Sequence, residues 1–546
     1  MHKYTISCSN PASQFLQIQL EFTSVNEEEI LLQLPSWRAG RYQLANYAQY
    51  IRDFKIQNEQ GEEIRFRKIS KDCWSFQAKK KHIYYVNYEF FSSRMDAGGA
   101  WIDEDQVYVN LINCCLEIKG YENNPIKIDF KPIGFSRIIS TLPKNKSGDL
   151  LAKDFQMLVD STILATNEIT HWEYKSGNCL FNIWIKGEVK FDQESFLDSF
   201  QKFTKTQIRD FGEFPETEYH FIFQLLPYRH YHGVEHQKGT VITFGPAENL
   251  SDPSQMEDLL GVSSHELYHA WNVCRIRPKE LLPYDFSKET YSKAGWMLEG
   301  ITTYMGDMYL LKSGVYSLDI FLKQIENTLK KEIQNQGWEN QSILESSFDL
   351  WLDGYQAGIP DRKVNIYSHG SLICFCLDLM LLENGSSFPE VMKDAWEKFG
   401  KPMVGYTNDS FWKLILNHTT DQSSLKIFYD RFISGKEDLL VFFKEKLNLL
   451  GITLNLTENQ DPLARDLGVL STDNKIIKIH QESPAYSDLM IGDEIKFQYL
   501  ENKIHVVIYR INGTYHEFKY DSSKEFYPIP NLVIEKGTEI REKWMK

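Results

Sequence analysis

The spacing of apolar residues divides the chain into two β-rich ends and a helical middle. Between residue 1 and about residue 190, short segments alternate apolar and polar positions, and turns rich in Asn, Gly, Pro and Ser separate them. This pattern is typical of β-strands, which place successive side chains on opposite faces. The clearest segments are 4–7, 15–20, 29–34, 82–88 and 179–184. We therefore predict an N-terminal all-β domain over 1–190, built as a sandwich or an extended, saddle-like sheet.

The apolar period becomes that of a helix from about residue 191. The elements predicted after that point include a helix over 192–211, strands over 219–226 and 240–244, and a late strand over 474–480. Helical periodicity dominates from about 253 to 448, so we expect 191–448 to form one mainly helical domain, with 391–448 as its tail. The last segment, 449–546, returns to a β pattern and is predicted to form a third domain.

Composition places the protein among globular proteins of several domains. It has 546 residues, 42% of them hydrophobic, which is enough for two to four cores. A net charge of −15 argues against nucleic acid or an anionic membrane surface as partner. The sequence has no 18-residue apolar run and no apolar signal segment after Met1, so we expect no membrane span or secretory signal. Its eight cysteines lack the spacing of a zinc finger or a disulfide framework, which favours reduced thiols and a cytoplasmic location.

The segment from His265 to His269 carries the most specific chemistry. Residues four apart lie on one side of a helix, so His265 and His269 can bind the same zinc ion. Glu266 then lies beside a zinc-bound water and can accept its proton as a general base. The motif has only three defined positions, and the alternative is a chance pair of surface histidines on an amphipathic helix.

A third ligand would distinguish these two interpretations. Glu299 is the best candidate in the following 60 residues, because it lies in a predicted second helix among closely spaced apolar residues. A buried, unpaired carboxylate is costly, and a zinc ion removes that cost. Two histidines and one glutamate leave a fourth position open for water, which is the arrangement of a catalytic zinc site. Thr303, one turn after Glu299, is a candidate for a hydrogen bond to one of the ligands.

These residues, with others along the sequence, resemble the glycyl aminopeptidase family of zinc metallopeptidases, which are gluzincins with a C-terminal PDZ domain. The matching segments are 34–42 (the N-terminal signature), 265–278 (the extended zinc motif), 296–304 (the third-ligand helix) and 367–370 (a Tyr-x-x-Gly element). The signature normally contains Pro-Gly where this protein has Ala39-Gly40.

The resemblance implies a multidomain α+β fold. Its parts would be the N-terminal β domain, a thermolysin-like catalytic domain and a PDZ-like β domain over 449–546. The last part contains Ser483-Pro484-Ala485 and a Gly492-Asp493 pair like those of PDZ domains, although the connection between them is one residue shorter than usual. Such a module would bind an extended peptide or the carboxyl terminus of a protein by strand addition.

The resemblance also implies a reaction, the removal of small N-terminal residues such as Gly or Ala from peptides with a free amino terminus. Tyr367 would donate a hydrogen bond to the tetrahedral oxyanion, whereas from its sequence context alone it is a packed aromatic residue. The segment 232–236 resembles a Gly-Gly-x-Glu-His element, in which Gly233 and Glu235 would bind substrate and Glu235 would hold the ammonium group. The alternative for Glu235 is a solvent-facing strand residue. His232 replaces the first glycine, an exchange expected to narrow the pocket or alter substrate choice.

Several alternatives stay open at this stage. Arg275 and Arg277 either pair with carboxylates or bind substrate carbonyls and termini, and the histidines around 230–236 are either loop residues or, less simply, a second metal site. The competing functions are a zinc endopeptidase, an aminopeptidase of broader specificity, and a peptide-binding scaffold with a vestigial catalytic domain. A blocked substrate amine would abolish turnover by an aminopeptidase and spare an endopeptidase.

Overall fold

The computed structural model describes residues 1–355, 358–500, 503–521 and 525–546. The protein forms two compact units. The first consists of Met1–Tyr316, Ser347–Gln356 and Ser386–Thr420, and the second of Ser317–Ser346, Ala357–Gly385 and Asp421–Lys546. The division into domains at 190 and 448 stays a prediction.

The N-terminal region is all β, as predicted. Its strands are β1 (His2–Cys8), β2 (Phe15–Thr23), β3 (Glu28–Gln33), β4 (Ile51–Asn58), β5 (Arg67–Ser70), β6 (Cys73–Ala78), β7 (Ile83–Phe91), β8 (Ser93–Arg94), β9 (Ala100–Ile102), β10 (Gln106–Asn110), β11 (Glu117–Ile118), β12 (Ile126–Pro132), β13 (Arg137–Ser140), β14 (Leu150–Ala152) and β15 (Thr162–Thr166). They form a six-stranded sheet in the order β14-β12-β1-β2-β7-β4, a five-stranded sheet in the order β13-β15-β10-β9-β8 and a four-stranded sheet in the order β11-β3-β6-β5. Alternating burial along β2 and β7 shows the period of two that predicted these strands.

A fourth sheet lies under the candidate site. Its strands are β16 (Thr170–Ser176), β17 (Cys179–Lys186), β18 (Glu218–Leu225), β19 (His230–His236) and β20 (Gly239–Gly245), in the order β16-β17-β18-β20-β19. Strands β17, β18 and β20 are parallel, and β19 is an edge strand antiparallel to β20. The sheet pairs strands from both sides of residue 190, so it crosses the predicted domain boundary there. Val234 of β19 packs against Ala97 and Tyr108 of the N-terminal region, which fixes the sheet to that region.

The middle of the sequence is helical, as its periodicity predicted, and short helices also occur in the N-terminal region (Phe155–Val159) and in the C-terminal segment (Pro462–Leu467 and Glu539–Trp544). The helices are α1 (Phe155–Val159), α2 (Gln193–Phe211), α3 (Pro253–Tyr268), α4 (Ile301–Lys312), α5 (Leu318–Ile333), α6 (Ile343–Phe348), α7 (Leu350–Asp353), α8 (Ser368–Glu383), α9 (Phe388–Ala395), α10 (Asn408–Leu416), α11 (Gln422–Phe428), α12 (Leu440–Leu449), α13 (Pro462–Leu467) and α14 (Glu539–Trp544). Asp192 caps α2 by accepting a hydrogen bond from the Ser195 amide, and Gly212 ends it in the left-handed region at φ 89°.

The second unit combines buried helices with the C-terminal strands. These strands are β21 (Ile452–Thr457), β22 (Val469–Thr472), β23 (Lys475–Ile479), β24 (Glu494–Leu500), β25 (Lys503–Tyr509), β26 (Tyr515–Asp521) and β27 (Ile529–Ile534). Strands β22 to β26 form an antiparallel sheet in sequence order, and β21 pairs with β27. The predicted strand over 474–480 is confirmed as β23. The PDZ-like assignment of this region stays a prediction.

Candidate active site

Helix α3 and its C-terminal cap present the two predicted histidine ligands, His265 in the last turn and His269 at the cap. Asp252 accepts a hydrogen bond from the Ser254 amide and Pro253 occupies the first helical position, so the helix begins at a strong N-terminal signal. The Nε2 atoms of His265 and His269 are 3.1 Å apart. The Nδ1 atom of His269 lies 2.7 Å from the Asn272 carbonyl, to which it donates, so in the neutral ring the Nε2 atom keeps the lone pair that a metal ion would bind.

Glu299 completes the triad from a neighbouring helical segment. It lies in a single π-helical turn, Trp296–Gly300, that leads directly into α4. Its Oε2 atom is 3.5 Å from His269 Nε2 and 3.8 Å from His265 Nε2. A close helix packing makes this possible, because a Cβ atom on Gly306 of α4 would lie 3.0 Å from the Cα atom of His265. Glu299 is therefore buried beside both imidazoles, as the sequence predicted.

The donor set fits zinc. A tetrahedral zinc ion with bonds of about 2.0–2.2 Å places its ligand atoms roughly 3.3–3.6 Å apart, close to the observed separations. Burial, and then His269, hold the pKa of His265 well below its ordinary value, which keeps that imidazole neutral as a metal ligand must be. Burial lowers the pKa of His269, but the hydrogen bond to Glu299 and the charges of Glu235, Glu299 and Glu266 together outweigh burial and raise that pKa to about 10. The buried Glu299 carboxylate thus needs a positive charge between it and His269, either a proton on His269 or a metal ion.

Asn272 ties the two metal-binding segments together. Its Nδ2 atom donates to the Met297 carbonyl at 2.9 Å and to Thr302 Oγ1 at 3.0 Å. Thr302 Oγ1 also lies 3.5 Å from His269 Nδ1. The expectation that Thr303 would contact a ligand is wrong, because Thr302 is the threonine beside His269 and the Thr303 hydroxyl has no hydrogen-bond partner among the described residues.

Glu266 lies against strand β19, where Gly233 leaves room for it. A Cβ atom on Gly233 would be 2.2 Å from Glu266 Oε1, so only glycine permits this approach. The carboxylate is buried, and its Oε2 atom has no hydrogen-bond partner among the described residues. Burial raises the pKa of Glu266 to about 8 against the opposing effect of His269. A carboxylate held in this way is suited to proton transfer near neutral pH.

Glu235 is a second buried carboxylate in the same cluster. One oxygen each of Glu235 and Glu266 and one nitrogen of His269 lie within 4.8 Å of one another. The Oε1 atom of Glu235 has no hydrogen-bond partner in the part of the protein that the structure describes. The carboxylate packs against Gly40 of the N-terminal region, where a Cβ atom would lie 2.2 Å from Glu235 Oε2. Glu235 is therefore not a solvent-facing strand residue, and it can accept a cation beside Glu266.

The histidines of β19 face away from these carboxylates. Alternation along the strand puts Gly233 and Glu235 on one face and His232, Val234 and His236 on the other. The His232 Nε2 atom is 3.2 Å from Arg38 Nη2, and His236 Nδ1 is 3.7 Å from Asp160.

The ring of His232 is held neutral. Burial, together with Arg38, lowers the pKa of His232 to about 3. No second metal cluster forms from these histidines among the described residues.

Arg275 and Arg277 hold the loop that follows α3. Arg275 donates to Glu216 Oε1 at 2.6 Å and to the Ala270 carbonyl at 2.6 Å. Arg277 donates to the Val273 and Cys274 carbonyls at 3.0 and 2.7 Å, and its guanidinium lies 4.0 Å from the centre of the Tyr284 ring. Both side chains are buried. Arg275 pairs with a carboxylate, as one of the two alternatives expected, whereas Arg277 binds backbone carbonyls of its own loop.

Tyr367 belongs to the second unit. It immediately precedes α8, and its backbone amide donates to Asn365 Oδ1 at 2.8 Å. The following turn is fixed by His369, whose Nδ1 atom is 2.6 Å from Glu332 Oε1. The role of Tyr367 at the metal centre stays a prediction.

Sequence reasoning missed the contribution of the N-terminal signature to this site. Gly40 contacts Glu235 and Arg38 contacts His232, whereas the sequence identifies this segment only by its resemblance to the family signature. The sequence contains only a weak signal for these contacts. A glycine next to an arginine is typical of a place where two chain segments approach closely, but the sequence does not indicate that the partner segment is β19.

Two models of one peptidase family match the sequence. The model described as Peptidase M61 N-terminal domain matches residues 3–167, and the model described as M61 glycyl aminopeptidase matches residues 258–373. No curated protein matches the sequence.

Solved structures share the fold. An aminopeptidase N family protein from Idiomarina loihiensis is 23% identical with a TM-score of 0.90, and the match spans 100% of both proteins. An M1 zinc metallopeptidase from Deinococcus radiodurans is 11% identical with a TM-score of 0.50, over 80% of this protein and 94% of that one. A mutant of the latter was solved with a Tyr-Ser-Ala substrate.

Proposed function

The protein belongs to the M61 glycyl aminopeptidase family and is a zinc metallopeptidase, and we propose that it removes the N-terminal residue from peptides, favouring Gly and Ala. The observation that supports this best is the buried Glu235 carboxylate, which lies within the cluster of Glu266 and His269. A peptidase that binds a free ammonium group needs such an anion next to its general base. In an endopeptidase, which binds no free ammonium group, a buried carboxylate at this position would cost folding free energy without a function.

The metal would be held by His265, His269 and Glu299. Zinc bound there supplies a water molecule of lowered pKa and polarises the scissile carbonyl. The donor set supports this assignment through its separations and through the neutral state of His265.

The remaining steps fall to the protein's own side chains. Glu235 binds the substrate ammonium and so places the first peptide bond next to Glu266. Glu266 accepts a proton from the attacking water and later donates it to the leaving amine. Gly233 lies opposite Glu266 and allows the substrate peptide to approach strand β19 closely. Tyr367 donates a hydrogen bond to the oxyanion of the tetrahedral intermediate.

The test compares alanyl and N-acetylalanyl anilides in the zinc-loaded protein. We expect hydrolysis of the alanyl compound and none of the acetylated one. Glu266→Gln and Tyr367→Phe should each lower kcat by about 100-fold or more while zinc content stays unchanged. Glu235→Gln should chiefly raise KM for the alanyl compound.

Cleavage of both anilides at similar rates would favour an endopeptidase. A zinc-loaded wild-type protein that cleaves nothing across a panel of N-terminal residues would favour the scaffold alternative.

Peptide binding by the C-terminal module and a cytoplasmic location stay predictions. Among the described residues no single helix is long and apolar enough to cross a membrane, and one bent pair of helices meets those criteria by length and composition only.

A further inference from the structure

Strand β19 carries one more side chain on the face that meets the general base. Glu235, Gly233 and Tyr231 occupy alternate positions of the strand, so they share one face. Glu266 approaches that face at Gly233, and Gly40 of the N-terminal region packs against Glu235. A peptide held by its amino group at Glu235, with its first peptide bond beside Glu266, therefore extends along this face in the direction of Tyr231.

The ring of Tyr231 lies on the wall of an open cleft. The residue is 62% exposed, and its ring contacts that of Phe244, directly opposite on β20, with 5.8 Å between the ring centres. Burial is nevertheless the largest cause of the raised pKa of the Tyr231 hydroxyl. The side chain is thus reached by water and at the same time surrounded by protein, which describes a group in a cleft and not one on a convex surface.

The helical side of this cleft is acidic. Asp258 comes seven residues before His265, which is about two turns, so both lie on the same face of α3. Gly261 lies on that face as well, and a Cβ atom there would be 3.9 Å from Asp307 Oδ1 of α4. Asp258 and Asp307 are both half-buried. Two carboxylates therefore follow the face of α3 that leads away from the first zinc ligand.

The negative charge of these residues reaches Tyr231. After burial, the causes that raise the pKa of its hydroxyl are the charges of Asp307, Asp258 and Glu266, in that order. A cation is attracted both by negative charge and by the face of an aromatic ring, whereas an anion is repelled. A lysine or arginine side chain meets both conditions, because its apolar stem packs on the ring while its charged end stays in water near the carboxylates.

The spacing along β19 assigns this wall to the part of the substrate that leaves. Tyr231 is two residues from Gly233, a distance of about 6.6 Å at roughly 3.3 Å per residue. An extended substrate whose first peptide bond lies at Gly233 reaches that level with its second or third residue. Resting on the proposed aminopeptidase function, we propose that Tyr231, Asp258 and Asp307 form a subsite for a basic side chain at the second or third residue of the peptide.

The experiment measures kcat/KM of the full-length, zinc-loaded protein for two series of tetrapeptide amides, Ala-X-Gly-Gly and Ala-Gly-X-Gly. X is Lys, Gly, Glu or norleucine, which has an apolar stem without the charge. In one series we expect the Lys compound to exceed the Glu compound about tenfold, with Gly and norleucine between them. This preference should become smaller at high ionic strength, because salt screens charges in an open cleft.

Variants of the two sides of the cleft test the assignment. Tyr231→Ala should lower the ratio of kcat/KM for the Lys compound to that for the Glu compound at least fivefold, and Tyr231→Phe should keep most of it, because the ring remains. Asp258→Asn is an independent variant that should lower the same ratio at least threefold. Tyr228→Ala is the matched control, because Tyr228 is 50% exposed and comes two residues before β19, but lines a different cavity together with Gln224. It should leave the ratio unchanged.

Two different failures can be distinguished. Absence of hydrolysis of every peptide, Ala-Gly-Gly-Gly amide included, would overturn the proposed function and the subsite with it. Hydrolysis at similar rates of the Lys, Gly and Glu compounds in both series, or a preference for Lys that Tyr231→Ala leaves intact, would overturn the subsite alone.

Discussion

Two glycines determine where the two buried carboxylates of the site can lie. Gly233 leaves room for Glu266, and Gly40, at φ 70°, leaves room for Glu235. In both cases the missing Cβ atom would overlap a carboxylate oxygen, and at Gly40 the backbone also lies in the left-handed region that favours glycine. The chemistry of the carboxylates thus depends on residues that have no side chain.

Replacing Gly233 with Ala should inactivate the enzyme without removing its metal. The new methyl group would lie 2.2 Å from Glu266 Oε1, so the general base must move. We expect kcat to fall at least about 100-fold, as measured with alanyl anilide, while zinc content stays at the wild-type value. Gly537→Ala is the control, because a Cβ atom there meets only the end of the Arg541 side chain, at 3.3 Å. Activity of the Gly233 variant close to that of this control would contradict the close approach.

A buried histidine outside the site should make stability depend on pH. Burial lowers the pKa of His220 to about 4, and Trp184 Nε1 donates to its Nδ1 atom at 3.1 Å. The unfolded protein takes up a proton near pH 6.5 and the folded protein only near pH 4, so this stabilisation is present above pH 6.5 and is lost as the pH falls between them.

The expected loss between pH 7.5 and pH 5 is about 2 kcal/mol. Urea unfolding of the wild type and of His220→Gln should show a smaller dependence on pH for the variant. Equal dependence in both proteins would show that His220 does not carry the effect.

At the scale of elements, the site is a junction of α3, the π-helical turn 296–300 and the edge strand β19. Helix α3 contributes one ligand and the base, its C-terminal cap contributes the second ligand, and the π-helical turn contributes the third. A π-helical turn shifts the following residues relative to a regular helix, and such turns are frequent at functional sites. The helical period correctly predicted a helix around Glu299, but periodicity does not reveal one extra residue in a turn.

Asn272 is the side chain that joins these elements, so Asn272→Ala should weaken zinc binding. The change removes the donor to the Met297 carbonyl and to Thr302 Oγ1, both of which belong to buried residues. We expect zinc affinity to fall about 10- to 100-fold and stability to fall by about 1–3 kcal/mol.

Competition with a zinc chelator measures the first effect, and thermal unfolding measures the second. Asn531→Ala, at an exposed position of β27, should change neither. Unchanged zinc affinity in the Asn272 variant would show that the three ligands keep their positions without the hydrogen bonds of Asn272.

At the scale of the whole molecule, all eight cysteines are buried and none forms a disulfide. Scattered, reduced thiols were predicted from their spacing, and burial raises the pKa of several of them, Cys115, Cys274 and Cys374 among them. A thiol of raised pKa that is also inaccessible reacts slowly.

The native protein should therefore react slowly with a thiol reagent, and the unfolded protein should titrate eight thiols at once. Absorbance with a chromogenic disulfide reagent, with and without guanidinium chloride, measures both. Rapid reaction of several thiols in the native protein would contradict the packing of either unit. Fewer than eight thiols in the unfolded protein would point to a disulfide.

The sequence by itself determined the local features of this protein. The strands of the N-terminal region, helix α2 with its cap and stop, and the ligand pair on α3 all follow from periodicity and terminal signals that act within a few residues. Glu299 could also be chosen in advance, because a carboxylate among apolar residues requires a partner.

Only the tertiary structure decided what lies across from these residues. The contacts of Gly40 with Glu235, of Arg38 with His232 and of Asn272 with the turn at 296–300 join segments that are 25 to 195 residues apart. These contacts depend on how the surfaces of distant segments pack together. The periodicity of one segment predicts its own secondary structure but does not predict which other segment packs against it.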